Sequence, residues 1–543
     1  MTGPPPGLLR HDLRSRAAYA EGAGIYRMVP RAVAAPTTTA ALRALVRWAV
    51  LSHTPLVPRG AGTGMPGGNV GHGVVVDLSR LDGAPLAISA DGRAHAGAAV
   101  TWQAINEAAL PGRLRLLPDP SSGRWATVGG MVATNAAGPR SLRHGPVRRW
   151  VDAVTIVTAD GEFTELRRGV PPDRSIGAIQ RFQDRVHGQL RAEYGVIRER
   201  FPHQVAKNSS GYALDAYLES GDLLDLIIGS EGTLAVVTGA DWRLAPLPSA
   251  RAGLRVALGS RDDLGAALPA LLRHRPAALE MLDATFLRFV ADTATVPGPA
   301  GLLEAAAVLL LVEFEGQDAD EVQAAMAGAV AELTPLAMDL TPATDPAEHE
   351  RLWAVRHAAS PLLARLGEGR RSLQVIEDAC VPLPALPEYL RLVEDCSRRH
   401  AIPSVAFGHA GDGHVHVNLL PDITRLGWED EVRAVLEEVS GAVLRLGGVL
   451  SGEHGDGRLR APWLEARYGA MVMMLFRAVK EAFDPEGILN PGVILPDGTP
   501  PLADLKAGTG AIELPRDIAR ALREIERQGG YARFRMDLVE DGE

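Results

Sequence analysis

The stretch PRGAGTGMPGG, Pro58 to Gly68, is a glycine-rich loop that follows the short run Pro55-Leu56-Val57. Within it, Gly62-Thr63-Gly64-Met65-Pro66-Gly67 satisfies the G-x-G-x-x-G pattern of a dinucleotide-binding turn. That reading needs a strand, the turn, and then a helix whose N-terminus faces the pyrophosphate. The strand is plausible, but the helix is missing. Gly68, Asn69, Gly71 and Gly73 follow, and then the β-branched run Val74-Val75-Val76. Glycine costs about 1 kcal/mol per residue inside a helix, and Pro66 would sit in its first turn. The chain is therefore expected to run strand, loop, strand. Successive backbone N–H groups in such a loop can form a nest for an anion, and glycines let a diphosphate come close. The alternative is a glycine-rich turn that binds nothing.

Two further stretches repeat this use of small residues. Pro118-Asp119-Pro120-Ser121-Ser122 leads to Thr127-Val128-Gly129-Gly130-Met131-Val132-Ala133-Thr134-Asn135-Ala136-Ala137-Gly138, and Gly229-Ser230-Glu231-Gly232-Thr233-Leu234 comes later. Each alone reads equally as a tightly packed turn. Three in one half of the chain favour one large ligand with a phosphate part.

The bulk numbers exclude several classes. The 543 residues suffice for two or three domains. The net charge of −10, with no long basic block, argues against a nucleic-acid partner. Two cysteines, Cys380 and Cys396, rule out a disulfide framework and a cysteine-ligated iron–sulfur cluster. The N-terminus has no continuous apolar core, and the longest apolar run, Ala305 to Val312, is far shorter than a membrane span needs. No transmembrane segment is expected, and a cytoplasmic location is.

Expected helices cover Thr37–Ser52, Thr101–Ala109, Asp262–Arg273, Asp318–Leu333, Glu348–Leu366, residues 428–446, Trp463–Phe483 and Pro515–Arg527. The last carries the stripe Ile518, Leu522, Ile525, with Arg516, Arg520, Arg523 and Arg527 facing away from it. Expected strands include Val74–Leu78, Ala94–Ala98 and Val151–Thr158, with Val308–Glu313, Ser372–Ile376, Val405–Phe407 and Val415–Leu419 in one later sheet.

Ligand-type residues concentrate in Phe407-Gly408-His409-Ala410-Gly411-Asp412-Gly413-His414-Val415-His416-Val417-Asn418. A strand would put His414, His416 and Asn418 on one face, and the glycine turn could fold His409 back toward it. Ser451-Gly452-Glu453-His454-Gly455-Asp456-Gly457-Arg458 adds a carboxylate and an imidazole between glycines. Nitrogen and oxygen ligands with open positions form a catalytic divalent-metal pattern. The plainer reading is a hairpin pair whose histidines bond backbone.

Taken in order, PRGAGTGMPGG, TVGGMVATNAAG, KNSSGYALD (Lys207–Asp215), GSEGTLAVVT, FGHAGDGHVHVN, SGEHGDGRLR and FDPEGILNPG resemble the FAD-linked oxidoreductases of the vanillyl-alcohol oxidase type. Within these the chain is similar to the D-lactate, glycolate and D-2-hydroxyglutarate dehydrogenase branch, from about Tyr19 to Leu495. The implied fold is α+β: a two-subdomain FAD-binding domain and an α+β substrate, or cap, domain with an antiparallel sheet. The implied organisation is a lead-in over residues 1–30, the FAD-binding domain over 31–247 and the cap with its metal site over 248–460. A helical segment returning to the FAD over 461–498 and a tail with a helix over 499–543 complete it.

By resemblance, Pro58, Arg59, Gly60, Ala61, Gly62, Thr63 and Gly64 hold the FAD diphosphate. Pro118, Asp119, Ser122, Gly129, Gly130, Thr134 and Asn135 line the flavin and ribityl chain. Glu231, Gly232 and Leu234 lie near the adenine, and Asn490 returns to the flavin. His409, His416 and Glu453 match the ligands of a divalent metal, whether zinc, manganese or iron. His454 matches the base, Asn418 a substrate contact, and Arg356 the arginine that binds the substrate carboxylate. A cation beside His454 would keep its imidazole neutral near pH 7. The implied activity is FAD-dependent oxidation of a small 2-hydroxy acid. Pro58–Gly68 contains no histidine for a covalent flavin link, so the FAD is expected to be non-covalent. A separate electron acceptor is implied: an iron–sulfur protein, an electron-transfer flavoprotein or a quinone. A homodimer is compatible with the resemblance. Left open beside it are a metal-dependent hydrolase, a flavin-binding subunit of a larger redox complex and an oxygen-using oxidase.

Overall fold

The computed structural model describes residues 4–291, 300–357, 363, 366, 369–508, 510–531 and 533–540. Its first unit is a small sheet of four strands, ordered Leu9–Arg10, Ala32–Ala34, Val74–Asp77, Leu56–Arg59. The last three are parallel, with Val57 opposite Val75 and Arg59 opposite Asp77. Parallel strands need a crossover, and the helix Thr39–Leu51 supplies one. It is capped by Thr38, whose side chain accepts from the Ala41 N–H. Leu42, Leu45, Val46 and Ala49 bury its inner face. Between Arg59 and Val74 there is no helix, so the glycine loop joins two strands as its composition requires.

A second, antiparallel sheet has the order Ala87–Ile88, Arg93–Gly97, Ala235–Arg243, Val151–Thr158, Phe163–Arg167. The long helix Leu464–Phe483, kinked at Gly469 (φ 80°), packs on the same core through Tyr468, Phe476 and Phe483. The third sheet has six antiparallel strands, ordered Asp339–Ala343, Ala250–Leu258, Val308–Gly316, Ala278–Asp283, Ser404–Gly408, His416–Leu419. One face is covered by the helices Leu264–Arg273, Ala319–Leu333, Leu386–Arg399 and Trp428–Arg445.

Several local expectations fail for physical reasons. Val128–Thr134, read as ligand loop or turn, is a short helix, because Thr127 caps it and Asn135 ends it in the left-handed region at φ 50°. Ser372–Ile376 is not a strand. Only Leu373 pairs with the sheet, opposite Leu419. The strands Ala250–Leu258 and Ala278–Asp283 and the helix Leu386–Arg399 escaped the sequence reading. The expected helix Glu348–Leu366 is observed as Pro346–His357, and most of its remainder lies outside the described residues.

The tail helix Arg516–Gln528 buries Ile518, Leu522 and Ile525 against Ala17, Ala18 and Tyr19. It therefore packs on its own domain, and its arginines stay at the surface.

The cap sheet is tied to the flavin-side unit by charge. Arg140 grips Glu313 through both oxygens, at 2.6 and 2.8 Å, and also reaches Asp119 at 2.9 Å. Arg115 and His144 hold Glu315 in the next outward position of the same strand. Burial alone would raise the Glu313 pKa, but His349 and Arg140 outweigh it and hold it at about 2, below the ordinary 4.5. A depressed carboxylate contributes stability that is present above the unfolded value and lost as pH falls through the folded one. Stability should therefore drop between pH 4.5 and about 2. Arg140→Met should cost about 3–5 kcal/mol at pH 7, as expected for a buried charge stripped of its partner. Urea unfolding would show this, and an unchanged midpoint would mean that His349 suffices.

Candidate active site between the cap sheet and the glycine loops

A cavity of about 1300 Å³ runs between the first two sheets and the cap. That exceeds the ~300–1,000 Å³ of a pocket for one drug-sized ligand. Of the expected cofactor residues, Pro58 to Gly64, Asp119, Ser122, Gly129, Gly130, Thr134, Glu231 and Gly232 border it. Among the described residues, the N–H groups of Gly60, Ala61, Gly62, Thr63 and Gly64 donate to no protein group. Gly62 is buried and the other four are half-buried, and a run of such N–H groups along a cavity wall can cradle a diphosphate. The first and second loops touch so closely that a Cβ on Gly60 would lie 2.3 Å from Thr127 Oγ1. The residues fit a dinucleotide.

Four expected cofactor residues stand behind this wall. Pro118 is buried, and Leu234 lies in the core. Asn135 caps the short helix and accepts from Arg148 N at 2.9 Å. Asn490 latches two loops, donating to Gly68 O and Glu231 O at 2.8 Å each. Arg59 borders the cavity but is 2% exposed, and its guanidinium donates to Glu21 O at 2.9 Å. The Glu231 carboxylate accepts from the N–H groups of Asp456 and Gly457. Burial and nearby Asp456 push its pKa up to about 8.

At the cap end the histidines gather around one oxygen. Glu453 Oε1 lies 3.1 Å from His409 Nε2, 3.4 Å from His416 Nε2 and 3.7 Å from His454 Nε2. These atoms come from the end of strand Ser404–Gly408, the strand His416–Leu419 and the turn after Ser451. His416 and His454 stack in parallel with ring centres 5.2 Å apart. Imidazoles and a carboxylate converging this way suit a divalent cation. The donors also fall into two adjoining sets with no shared member, His409 with His414 and Glu453, and His416 with Glu377, Asp378 and His454. Glu453 Oε1 lies between the two sets, within 3.4 Å of an imidazole nitrogen from each.

His414 departs from the one-face expectation. It precedes the strand, which begins at His416, and is fully buried with Nε2 on Asp378 at 2.9 Å. Burial pushes its pKa down to about 4. His416 and Asn418 do share the cavity-facing side.

The polar residues missed in the sequence are carboxylates and a lysine. Glu377 accepts from His454 Nδ1 at 2.8 Å, and Asp378 accepts from His454 N at 2.9 Å and Ser451 Oγ at 2.8 Å. Burial alone would lower the His454 pKa, but Glu377 and Asp378 outweigh it and push it up to about 10. The expectation of a neutral imidazole rested on an adjacent cation, and these two groups act in the opposite direction. It counted a cation and not the two carboxylates behind the ring. Glu280 bridges His409 Nδ1, at 2.5 Å, and Arg356 Nε, at 2.7 Å. Arg356 lies over the Phe407 ring at 4.9 Å and borders the cavity. Lys207 is buried, with Nζ 3.1 Å from Glu453 and 3.2 Å from Asp412. Lys207 was legible only as part of the motif KNSSGYALD.

The fold and the site define a flavin-dependent oxidoreductase. The description FAD binding domain matches residues 30–167, and FAD linked oxidases, C-terminal domain, matches residues 247–494. The chain is 32% identical over 469 residues to a D-lactate dehydrogenase of Archaeoglobus fulgidus, covering 85% of this chain and 91% of that one. It is 29% identical to the glycolate oxidase subunit GlcD of Bacillus subtilis, covering 86% and 89%. The 4-ethylphenol oxidase of Gulosibacter chungangensis shares the fold, with a TM-score of 0.65 at 15% identity over 90% of this chain and 95% of that one. The chain belongs to the FAD-linked oxidase family. Among the described residues, no helix is long and apolar enough to cross a membrane.

Removing Lys207 should show how the acidic centre is held. Lys207→Met would leave Glu453 and Asp412 buried without their cation, a loss of about 3–5 kcal/mol. The thermal midpoint should fall clearly. An unchanged midpoint would mean that His409 alone compensates Glu453.

Proposed function

We propose that this chain oxidises a D-2-hydroxy acid, of the lactate, glycolate or 2-hydroxyglutarate type, to the 2-oxo acid. The observation that carries the reading is the convergence of His409, His416 and His454 on Glu453 Oε1, at one end of a cavity whose other end is the unpaired N–H loop. The names of the relatives in Archaeoglobus fulgidus and Bacillus subtilis support the substrate class. When bound, FAD supplies the two-electron acceptor for the Cα hydride, and a divalent zinc, manganese or iron ion supplies a Lewis acid that acidifies the hydroxyl.

The protein's share is binding, orientation and proton transfer. His409, His416 and Glu453 hold the cation. Arg356, fixed by Glu280 at Nε, offers its remaining N–H groups to the substrate carboxylate. Asn418, held by Ser372 Oγ at 3.1 Å, orients the bound acid. His454 takes the hydroxyl proton at Nε2, while Glu377 fixes Nδ1 and stabilises the imidazolium that results. A cation at Glu453 would displace the proton that His454 otherwise keeps, leaving the ring free to accept one. Electrons leave to a separate acceptor: an iron–sulfur protein, an electron-transfer flavoprotein or a quinone. The working compartment is the cytoplasm.

His454→Asn should leave FAD and metal bound and slow flavin reduction by about 10²–10⁴-fold, the range for a lost general base. A panel of D- and L-2-hydroxy acids with a dye acceptor checks substrate and base together. Reduction at the wild-type rate would place the base elsewhere, and peroxide formed without dye would identify an oxidase. A chelator should abolish turnover while FAD stays bound, and zinc or manganese should restore it. Full activity in metal-free protein would remove the cation from the mechanism. Acid or heat denaturation should release the FAD to the supernatant, and a yellow pellet would indicate a covalent link.

A further inference from the structure

The tail helix reaches the same cavity. Arg523 and Arg527 border its mouth, whereas Arg516 and Arg520 on the same helix do not. The rotation of the helix is fixed by Ile518, Leu522 and Ile525 in the core. Its end is fixed by Trp125, which meets Tyr531 edge-on at 6.3 Å and would touch a Cβ on Gly529 at 2.7 Å. From the cap, Arg370 and Arg371 line the same opening, their backbone pinned by the pairing of Arg370 with Asp422. All four arginines are exposed, and none is within hydrogen-bond reach of a carboxylate among the described residues, although Arg370 and Arg371 act through space on Asp422 and Glu526. The nearby Glu526 is engaged by Lys506 at 2.7 Å, which leaves Glu513 as the unengaged carboxylate on the tail side.

We propose that Arg523 and Arg527, with Arg370 and Arg371, form an anion-attracting mouth that steers the carboxylate substrate into the cavity. The inference rests on the proposed hydroxy-acid reading. The net charge of −10 repels an anion at long range. A local group of exposed cations at a cleft focuses the field and raises the on-rate. Residues from 502 onward lie beyond the matched family domain, which stops at 494, so the tail adds a wall that the domain match does not include.

The test is stopped-flow binding of oxalate, an unreactive dianion, to the metal-loaded holoenzyme, followed by flavin absorbance. R523Q/R527Q should lower kon about 3- to 10-fold at low salt, since rim charges act on the association rate. The difference should vanish at about 0.5 M salt, where screening is nearly complete. R523K/R527K should keep the wild-type rate, and R516Q/R520Q should match it. An unchanged kon in R523Q/R527Q with normal FAD content would overturn the proposal, as would an equal loss in R516Q/R520Q. Wild-type protein that binds no oxalate would remove the hydroxy-acid reading and the mouth with it, an outcome distinct from binding at an unchanged rate.

Discussion

Two adjacent buried carboxylates, Glu377 and Asp378, hold the rest of the site in place. Taking both out of water costs several kcal/mol each. The cost is offset because nearly every lone pair is used. Asp378 takes bonds from Ser451, His414 and the backbone of the Glu453–His454 turn, and Glu377 takes His454 Nδ1 and Arg460. The turn therefore cannot rotate, and Glu453 is presented to His409 and His416 at fixed distances. A loop of small residues such as Ser451–Gly457 has no rigidity of its own. Its precision comes from the pair it wraps.

The same logic operates at larger scale. The cavity lies between a cap and a flavin-side unit that share no sheet. Arg140, linking Asp119 to Glu313, and Arg115 and His144 on Glu315 set their separation. Asp119 borders the cavity and Glu313 lies in the middle of the cap sheet, so one guanidinium spans from the cofactor side to a strand one removed from Ser404–Gly408, which leads to His409.

Much of the architecture was legible in the sequence. The refusal of Gly68 to Gly73 to form a helix was readable because propensity and Pro66 agree, and the observed strand-loop-strand follows. The helices expected over Thr37–Ser52 and Thr101–Ala109 are observed as Thr39–Leu51 and Trp102–Ala109, capped by Thr38 and Thr101. The strand Ala250–Leu258 was hidden because its entry lies among prolines and its residues are small, so no alternation stands out. Val128–Thr134 was hidden because two glycines argue against a helix that Thr127 and tertiary packing nonetheless impose. In the site, glycine spacing exposed His409, His416, Glu453 and His454. It could not reveal Glu280, Lys207 or Glu377, whose partners lie 129, 246 and 77 residues away. For the same reason the protonation of His454 could not be judged from its immediate neighbours.

The pairing of Arg14 with Asp517, across 503 residues, has a consequence for the order in which the protein is made. The strand Leu56–Arg59 and its loop are made well before the helix Arg516–Gln528, which shares one apolar cluster with Ala17, Ala18, Tyr19 and Val57. Domains fold as units and from the N-terminal side during synthesis. The nascent first unit must then wait with an apolar patch uncovered until the helix Arg516–Gln528 has been made. A ribosome stalled before residue 516 would carry the first unit with that face still bare.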